Sequence, residues 1–256
     1  MPHSDACPKP DAEAGATRPV LVVLHGEHSC PGRIGQVLRK RGHALDVRKP
    51  RFGDKLPETL DDHAGAVIFG GPMSANDPEE FIKTEIDWIG VPLKEGRPYL
   101  GVCLGAQMLA KHLGARVSHH EEQMVEIGYC PIAPTPAGTD YGPWPAQVYH
   151  WHREGFDIPA GGTLLAEGPT FRNQALAYGP SALGVQFHPE ITYALVARWS
   201  SDASWRDGLK GAQTRDAQIH GHIMHGASVM SWLDRFIGRW LVPGEQRRSP
   251  VRAAAE

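Results

Sequence analysis

Tyr99-Leu100-Gly101-Val102-Cys103-Leu104-Gly105 is the stretch on which the fold turns. Tyr99 to Val102 has the character of a buried strand, of the kind a parallel sheet covers on both faces. Leu104 to about Leu113 reads as a helix closed by Gly114. Cys103 stands between them in a G-x-C-x-G pattern, the form of a nucleophile elbow. Glycine on each side lets the strand reverse into the helix and removes side chains that would clash with the turn or with an arriving substrate. The thiol is then carried to the carboxyl end of the sheet, where open α/β sheets bind ligands. The helix N-terminus beneath it favours the thiolate, and the Leu104 N–H points into the same space as an oxyanion donor. Taken alone, the pattern is explained equally well by a buried structural cysteine.

Outward from this turn, strand and helix alternate. Val20-Leu21-Val22-Val23-Leu24 reads as a strand, with a helix around 34–41 and a second strand near 44–47. Ala66-Val67-Ile68-Phe69 is a third strand, ended by Gly70-Gly71-Pro72. Residues 78–90 place Phe81, Ile82, Ile86, Trp88 and Ile89 at the apolar positions of an amphipathic helix. Such alternation predicts an α/β fold with a doubly wound, mostly parallel open sheet. From about 117 to 187 the pattern changes to short strands, at 125–129, 147–151, 163–166, 175–178 and 183–187. A helix at about 191–200 and a long amphipathic one near 226–241 follow, and Pro243 begins a charged tail.

The bulk properties narrow the function classes. With 256 residues, 41% hydrophobic and 21% charged, the chain has the composition of a soluble globular protein and suffices for one large α/β domain. A net charge of -3 gives no electrostatic reason to expect nucleic acid or an anionic membrane as partner. No apolar run approaches the roughly 20 residues that cross a bilayer, and the N-terminus lacks the apolar core of a secretory signal. Four cysteines (Cys7, Cys30, Cys103, Cys130) are too few and too irregularly spaced for a disulfide framework. A reducing cytoplasmic location is expected. Residues 1–18, rich in Pro, Ala and charge, are expected to be a disordered tail, residues 19–242 a single domain, and 243–256 a flexible tail.

A thiol nucleophile needs a base, and the base needs an orienting partner. Gly184-Val185-Gln186-Phe187-His188-Pro189-Glu190 offers both. A strand ending in His-Pro-Glu puts the His188 imidazole at the sheet edge. Glu190 can hold its second nitrogen and stabilise the imidazolium, as the acid does in a Ser-His-Asp triad, and Pro189 fixes the backbone between them. Taken alone, the segment is also a histidine ending a strand and a glutamate opening a helix. Cys103 lies 85 residues earlier, at the end of another expected strand, and the two segments together argue for a catalytic pair.

GVCLGAQ at 101–107 and GVQFHPE at 184–190, in that order, resemble the two active-site motifs of the class I, triad-type glutamine amidotransferases. The likeness runs from about 19 to 200. Glu126-Ile-Gly-Tyr129, His150-Trp151-His152 and Asn173-Gln174-Ala175 bring it nearest to stand-alone proteins similar to the glutaminase domain of GMP synthetase, a subgroup that plant γ-glutamyl peptidases resemble. The resemblance implies a flavodoxin-like sheet with a smaller antiparallel portion. It implies Cys103, His188 and Glu190 as the catalytic residues, and Gly71 and Leu104 as the oxyanion donors. Gly105, Gln107 and His152 are implied at the glutamine pocket. The implied chemistry needs no metal or organic cofactor. The implied substrate is glutamine or a γ-glutamyl compound; no ATP-pyrophosphatase or phosphate loop is visible in the sequence, so a synthetase acting as ammonia acceptor would be a separate subunit.

Other clusters weigh less. His150 and His152 share one face of a strand, as a metal pair or a pocket wall, and the resemblance favours the wall. His220, His222 and His225 suggest a metal cluster or, without Cys or carboxylate partners nearby, a solvated segment before the last helix. His119-His120-Glu121-Glu122 reads as a polar rim loop, and Cys130 as a core or rim residue beside a strand. Val229, Trp232-Leu233, Phe236-Ile237 and Trp240-Leu241 form an apolar stripe that packs on the sheet or docks a synthetase. Three functions compete: a glutaminase supplying ammonia to a partner, an independent γ-glutamyl hydrolase, and a catalytically silent regulatory module. The intact triad residues oppose the third.

Overall fold

Val20, Leu21, Val22 and Val23 are all fully buried, as a strand covered on both faces requires. In the computed structural model, which describes residues 17–201, 206 and 208–242, they form β1 (Val20–Val23). The expected tails lie outside the described residues, apart from Thr17 and Arg18. There follow α1 (Gly32–Lys40), β2 (Leu45–Arg48), β3 (Gly65–Ile68), α2 (Glu80–Trp88), α3 (Gly90–Lys94), β4 (Tyr99–Val102) and α4 (Leu104–His112). The helix expected over 78–90 is thus broken near its end, where Pro92 has no N–H to continue the ladder.

The second half contains β5 (Val117–His119), β6 (Glu126–Pro131), β7 (Ala133–Pro134), β8 (Gln147–His152), β9 (Glu154–Phe156), β10 (Gly162–Glu167), β11 (Asn173–Tyr178) and β12 (Ala182–Val185). Two helices close it, α5 (Tyr193–Ser201) and α6 (Arg215–Trp240). The main sheet has the order β2-β1-β3-β4-β12-β11-β10-β7. Its first five strands are mutually parallel, and its last three run antiparallel. Two small antiparallel pairs, β5 with β9 and β6 with β8, stand apart from it. The expected mostly parallel sheet with a smaller antiparallel portion is therefore present. The short strands β5, β7 and β9 were not legible, since two or three residues carry no periodicity.

Alternate residues of β1 face opposite layers. Val20 and Val22 join Ile34 and Leu38 of α1 and Val229, Leu233 and Ile237 of α6. Leu21 and Val23 join Ile82 of α2 and Leu104 and Leu109 of α4. The apolar stripe of α6 is spent on this packing: Val229, Trp232, Leu233, Phe236, Ile237 and Trp240 are each at most 1% exposed, so it offers no docking face.

The last helix begins eleven residues earlier than its apolar stripe predicts. Thr214 caps it by accepting the Ala217 N–H. Its first three turns hold to β6 and β8 by polar contacts, which leave no hydrophobic period to read. Tyr149 Oη donates to Gln218 Oε1 at 2.7 Å, and Tyr129 Oη meets His222 Nδ1 at 2.8 Å. Gly221 lets the helix backbone rest on the Tyr129 ring, where a Cβ would come within 2.7 Å of Cδ2.

Candidate active site

The chain leaves β1 for β2 on one side and returns to β3 on the other, so the winding reverses between β1 and β3. Ligand crevices of open sheets lie outside the carboxyl ends at such a reversal. The carboxyl ends of β1, β3, β4 and β12, neighbours in the sheet, deliver His25, Gly70-Gly71, Cys103 and His188 to that edge.

Cys103 turns the chain with φ 50 and ψ -104, the left-handed side that residues with a Cβ rarely adopt. The flanking glycines do something other than reverse the chain. A Cβ on Gly105 would sit 2.1 Å from the Ile68 carbonyl oxygen, and one on Gly101 would sit 2.4 Å from the Gly105 carbonyl. They let α4 lie directly on β3 and β4, which presses Cys103 up to the sheet edge. The Cys103 carbonyl accepts the N–H groups of Ala106 and Gln107, so the turn opens α4 directly.

His188 is fixed from both sides. Its N–H donates to the Tyr149 carbonyl at 2.7 Å, and its Nδ1 lies 2.7 Å from Glu190 Oε1, with both side chains buried. Burial opposes a charge on the ring, but Glu190 and the Cys103 sulfur outweigh it and push the pKa up to about 10. Nδ1 being committed to Glu190, Nε2 is the nitrogen left for proton transfer. Gly70 lies against both groups: a Cβ there would meet His188 Cε1 at 2.7 Å and Cys103 Cβ at 3.4 Å. Gln186 completes this floor, its Nε2 3.7 Å from the Cys103 sulfur and its Oε1 accepting from Gln107 at 3.3 Å.

Gly71 is braced from behind by two residues that the sequence reading passed over. His25 Nδ1 lies 3.2 Å from the Gly70 carbonyl oxygen, and its Nε2 lies 2.7 Å from Glu85 Oε2, with both side chains fully buried. In a trans peptide the C=O and the next N–H point oppositely. Holding the Gly70 carbonyl on His25 therefore turns the Gly71 N–H away from it. The position of His25 at a strand's carboxyl end was the available signal.

Two cavities meet at this edge, sharing Gly71, Pro72 and Trp151. One, of about 370 Å³, contains Cys103 and is walled by Asp77, Gln107, His119, His152, Arg153 and Glu154. The other, of about 340 Å³, contains His188 and Glu190. Gln107 lines the first, with its amide nitrogen bonded to the Glu154 carbonyl at 2.8 Å. Gly105 lines neither. His119 does stand at a rim, and Cys130, within β6, has its thiol pushed up to about 12 by burial and by Glu126.

Three segments quoted separately in the sequence converge on Glu126. Its Oε2 lies 3.0 Å from His152 Nε2, 3.3 Å from His150 Nδ1 and 2.9 Å from Gln174 Nε2. His152 Nδ1 donates to the Glu154 carbonyl at 2.9 Å, so both its nitrogens are engaged and the ring serves as wall. His150 is wholly buried and lines neither cavity, which corrects its place as a pocket wall. Among the described residues Glu126, His150 and His152 are the set whose donor atoms converge closely enough to hold a metal. Burial works against the Glu126 charge, but His150, His152 and Gln174 outweigh it and bring its pKa to about 2. Burial pushes His150 down to about 3. Both depressed values contribute stability at neutral pH that is lost as the medium is acidified. The Glu126 part is full above 4.5 and disappears through about 2. Glu126→Ala is expected to lower stability by about 2 kcal/mol at pH 7, the cost of stranding buried partners. Urea melts at pH 7 and pH 4 check this, and an unchanged midpoint at pH 7 would refute it.

The solvated segment expected for His220, His222 and His225 is corrected. All three lie within α6; His220 is exposed, while His222 is buried and held near pKa 4 by burial and by Arg33. Arg33 Nη2 donates to His222 Nε2 at 3.2 Å, which leaves Nδ1–H to face Tyr129 Oη.

A cysteine at a strand-to-helix elbow beside an imidazole–carboxylate pair is equipped for acyl transfer. The model of the family "Glutamine amidotransferase class-I" matches residues 25–195, and the chain belongs to that family. The glutamine amidotransferase-like protein YfeJ of Salmonella typhimurium is 30% identical over 188 residues, covering 69% of this chain and 77% of that one. A glutamine-hydrolyzing GMP synthase of Vibrio vulnificus is 32% identical over 133 residues, 50% of this chain but only 24% of the synthase. A solved glutamine amidotransferase from Methylobacillus flagellatus superposes with a TM-score of 0.83 at 25% identity, over 93% of this chain and all of that one. Another, from Thermotoga maritima, gives 0.79 at 28% identity, over 89% and 99%. Among the described residues no helix is long and apolar enough to cross a membrane.

Proposed function

We propose that this chain hydrolyses the γ-amide bond of glutamine or a related γ-glutamyl compound through a thioester on Cys103, with residues 19–242 acting as one catalytic domain. The observation that carries it is the His188–Glu190 pair at 2.7 Å facing the same backbone point, Gly70, as Cys103. The Cys103 thiolate attacks the γ-carbonyl carbon, and the developing oxyanion takes hydrogen bonds from the N–H groups of Gly71 and Leu104. Collapse breaks the C–N bond while His188 Nε2 gives its proton to the departing nitrogen. His188 then takes a proton from water, the hydroxide attacks the thioester, and glutamate leaves with the thiolate restored.

Release of glutamate from glutamine, with a γ-glutamyl hydroxamate formed when hydroxylamine is present, tests the thioester. Absence of both products with every γ-glutamyl substrate would overturn the proposal. The role of Glu190 has its own test. The His188 pKa is raised from 6.5 to about 10, so the imidazolium and the stability it brings are complete below 6.5 and lost as pH rises through about 10. Glu190→Gln is expected to lower the rate about 10²-fold and to move the alkaline limb of the pH–rate profile toward neutrality. An alkaline limb identical to that of the parent would remove Glu190 from the orienting and charging of His188.

The GMP synthase relative admits a second arrangement, in which ammonia passes to a separate synthetase. The buried α6 stripe is then not the docking face.

A further inference from the structure

Glutamine releases ammonia, a group about the size of one water and needing roughly 30 Å³. The cavity on the His188 side is about 340 Å³, an order of magnitude more. Its wall is apolar, with Leu24, Phe69, Leu195 and Trp199, and it is rimmed by Cys30 and Arg198. The Cys103 side is polar, with Asp77, His119, Arg153 and Glu154, which suits the charged α-amino acid end of a glutamyl group. The two spaces meet at Gly71, Pro72 and Trp151, beside the candidate oxyanion donor. His188 Nδ1 is held by Glu190, so the proton reaches the leaving nitrogen from Nε2, and whatever that nitrogen carries extends to the His188 side.

We propose, resting on the γ-glutamyl chemistry above, that this second cavity is a leaving-group site and that the preferred substrate is a γ-glutamyl peptide whose second residue is aromatic. The ring lies among Leu24, Phe69, Leu195 and Trp199. The carboxylate of that residue meets Arg198, whose guanidinium has five donors and gives one to the His28 carbonyl at 3.4 Å. Bond making and breaking are as for glutamine: the proton from His188 leaves on the amine of the free aromatic amino acid, and glutamate leaves with the hydroxyl of water.

The test compares kcat/KM for glutamine, γ-glutamylglycine, γ-glutamylphenylalanine and γ-glutamylphenethylamide, which lacks the carboxylate. γ-Glutamylphenylalanine is expected to exceed glutamine by tenfold or more, with the phenethylamide between them. Arg198→Ala is expected to abolish the difference between the phenylalanine and phenethylamine compounds. Cys30 is exposed, so Cys30→Trp fills the cavity mouth with little demand on the fold, and it is expected to lower the γ-glutamylphenylalanine-to-glutamine ratio about tenfold. Glutamine cleaved as well as or better than γ-glutamylphenylalanine overturns the leaving-group site and leaves the γ-glutamyl chemistry standing. A preference that survives Cys30→Trp overturns its location. Failure to cleave any of the four overturns the underlying chemistry and this assignment together.

Discussion

Cys103→Ala is expected to reduce γ-glutamyl hydrolysis by roughly 10⁴-fold or more, as loss of a nucleophile does elsewhere, while the melting curve stays close to that of the parent. The side chain contributes one sulfur to a wall that is otherwise backbone and neighbouring groups, and alanine accepts the same backbone with the same strain. His188 would lose one of the two groups that hold its charge, so its titration in the variant should move down from about 10. Steady-state rates and the imidazole resonances followed across pH check both parts. Hydrolysis within tenfold of the parent would remove Cys103 from the chemistry.

Gly105→Ala is expected to lower stability by about 3 kcal/mol or more, near the upper end of overpacking costs because backbone has to move. The added methyl would stand 2.1 Å from the Ile68 carbonyl oxygen and 2.8 Å from its carbon, neither of which can rotate aside. Tyr99 Oη also donates to the Gly105 carbonyl at 2.9 Å, so tilting α4 away breaks a buried bond. Relief therefore requires α4 to lift off β3, carrying Cys103 and the Leu104 N–H with it. Denaturant melts and activity should fall together. A stable variant with full activity would mean that the helix does not rest on the strand as described.

How much of this was legible depends on whether a residue's reason is local. Cys103, His188 and Glu190 stand out as candidates because a turn and a His-x-Glu spacing are short-range patterns. Gly101 and Gly105 were legible as glycines but not in purpose: the sequence points to a tight reversal, whereas the structure shows close approach of a helix to two strands. Glu85 falls in the helix expected over 78–90, outside the apolar positions named for it, and is fully buried on His25, 60 residues away. No local pattern announces a pair that distant. The first turns of α6 were hidden for a related reason, since Gln218, Gly221 and His222 bury polar or bare surface and leave no hydrophobic period. The doubly wound, mostly parallel sheet was legible as a class, because apolar strands alternating with helices point to it, while the order of its strands was not.

Cys103 alone carries the reversal at φ 50. Backbone held there costs on the order of 1–3 kcal/mol for a residue with a Cβ, and glycine would occupy the same turn at ease. A chain shaped only for robustness would therefore place glycine at 103. On the proposed chemistry, folding and reactivity pull in opposite directions at this one residue, and the rest of the sheet must be firm enough to let reactivity prevail. A cysteine retained merely to fill space has no claim on such a position.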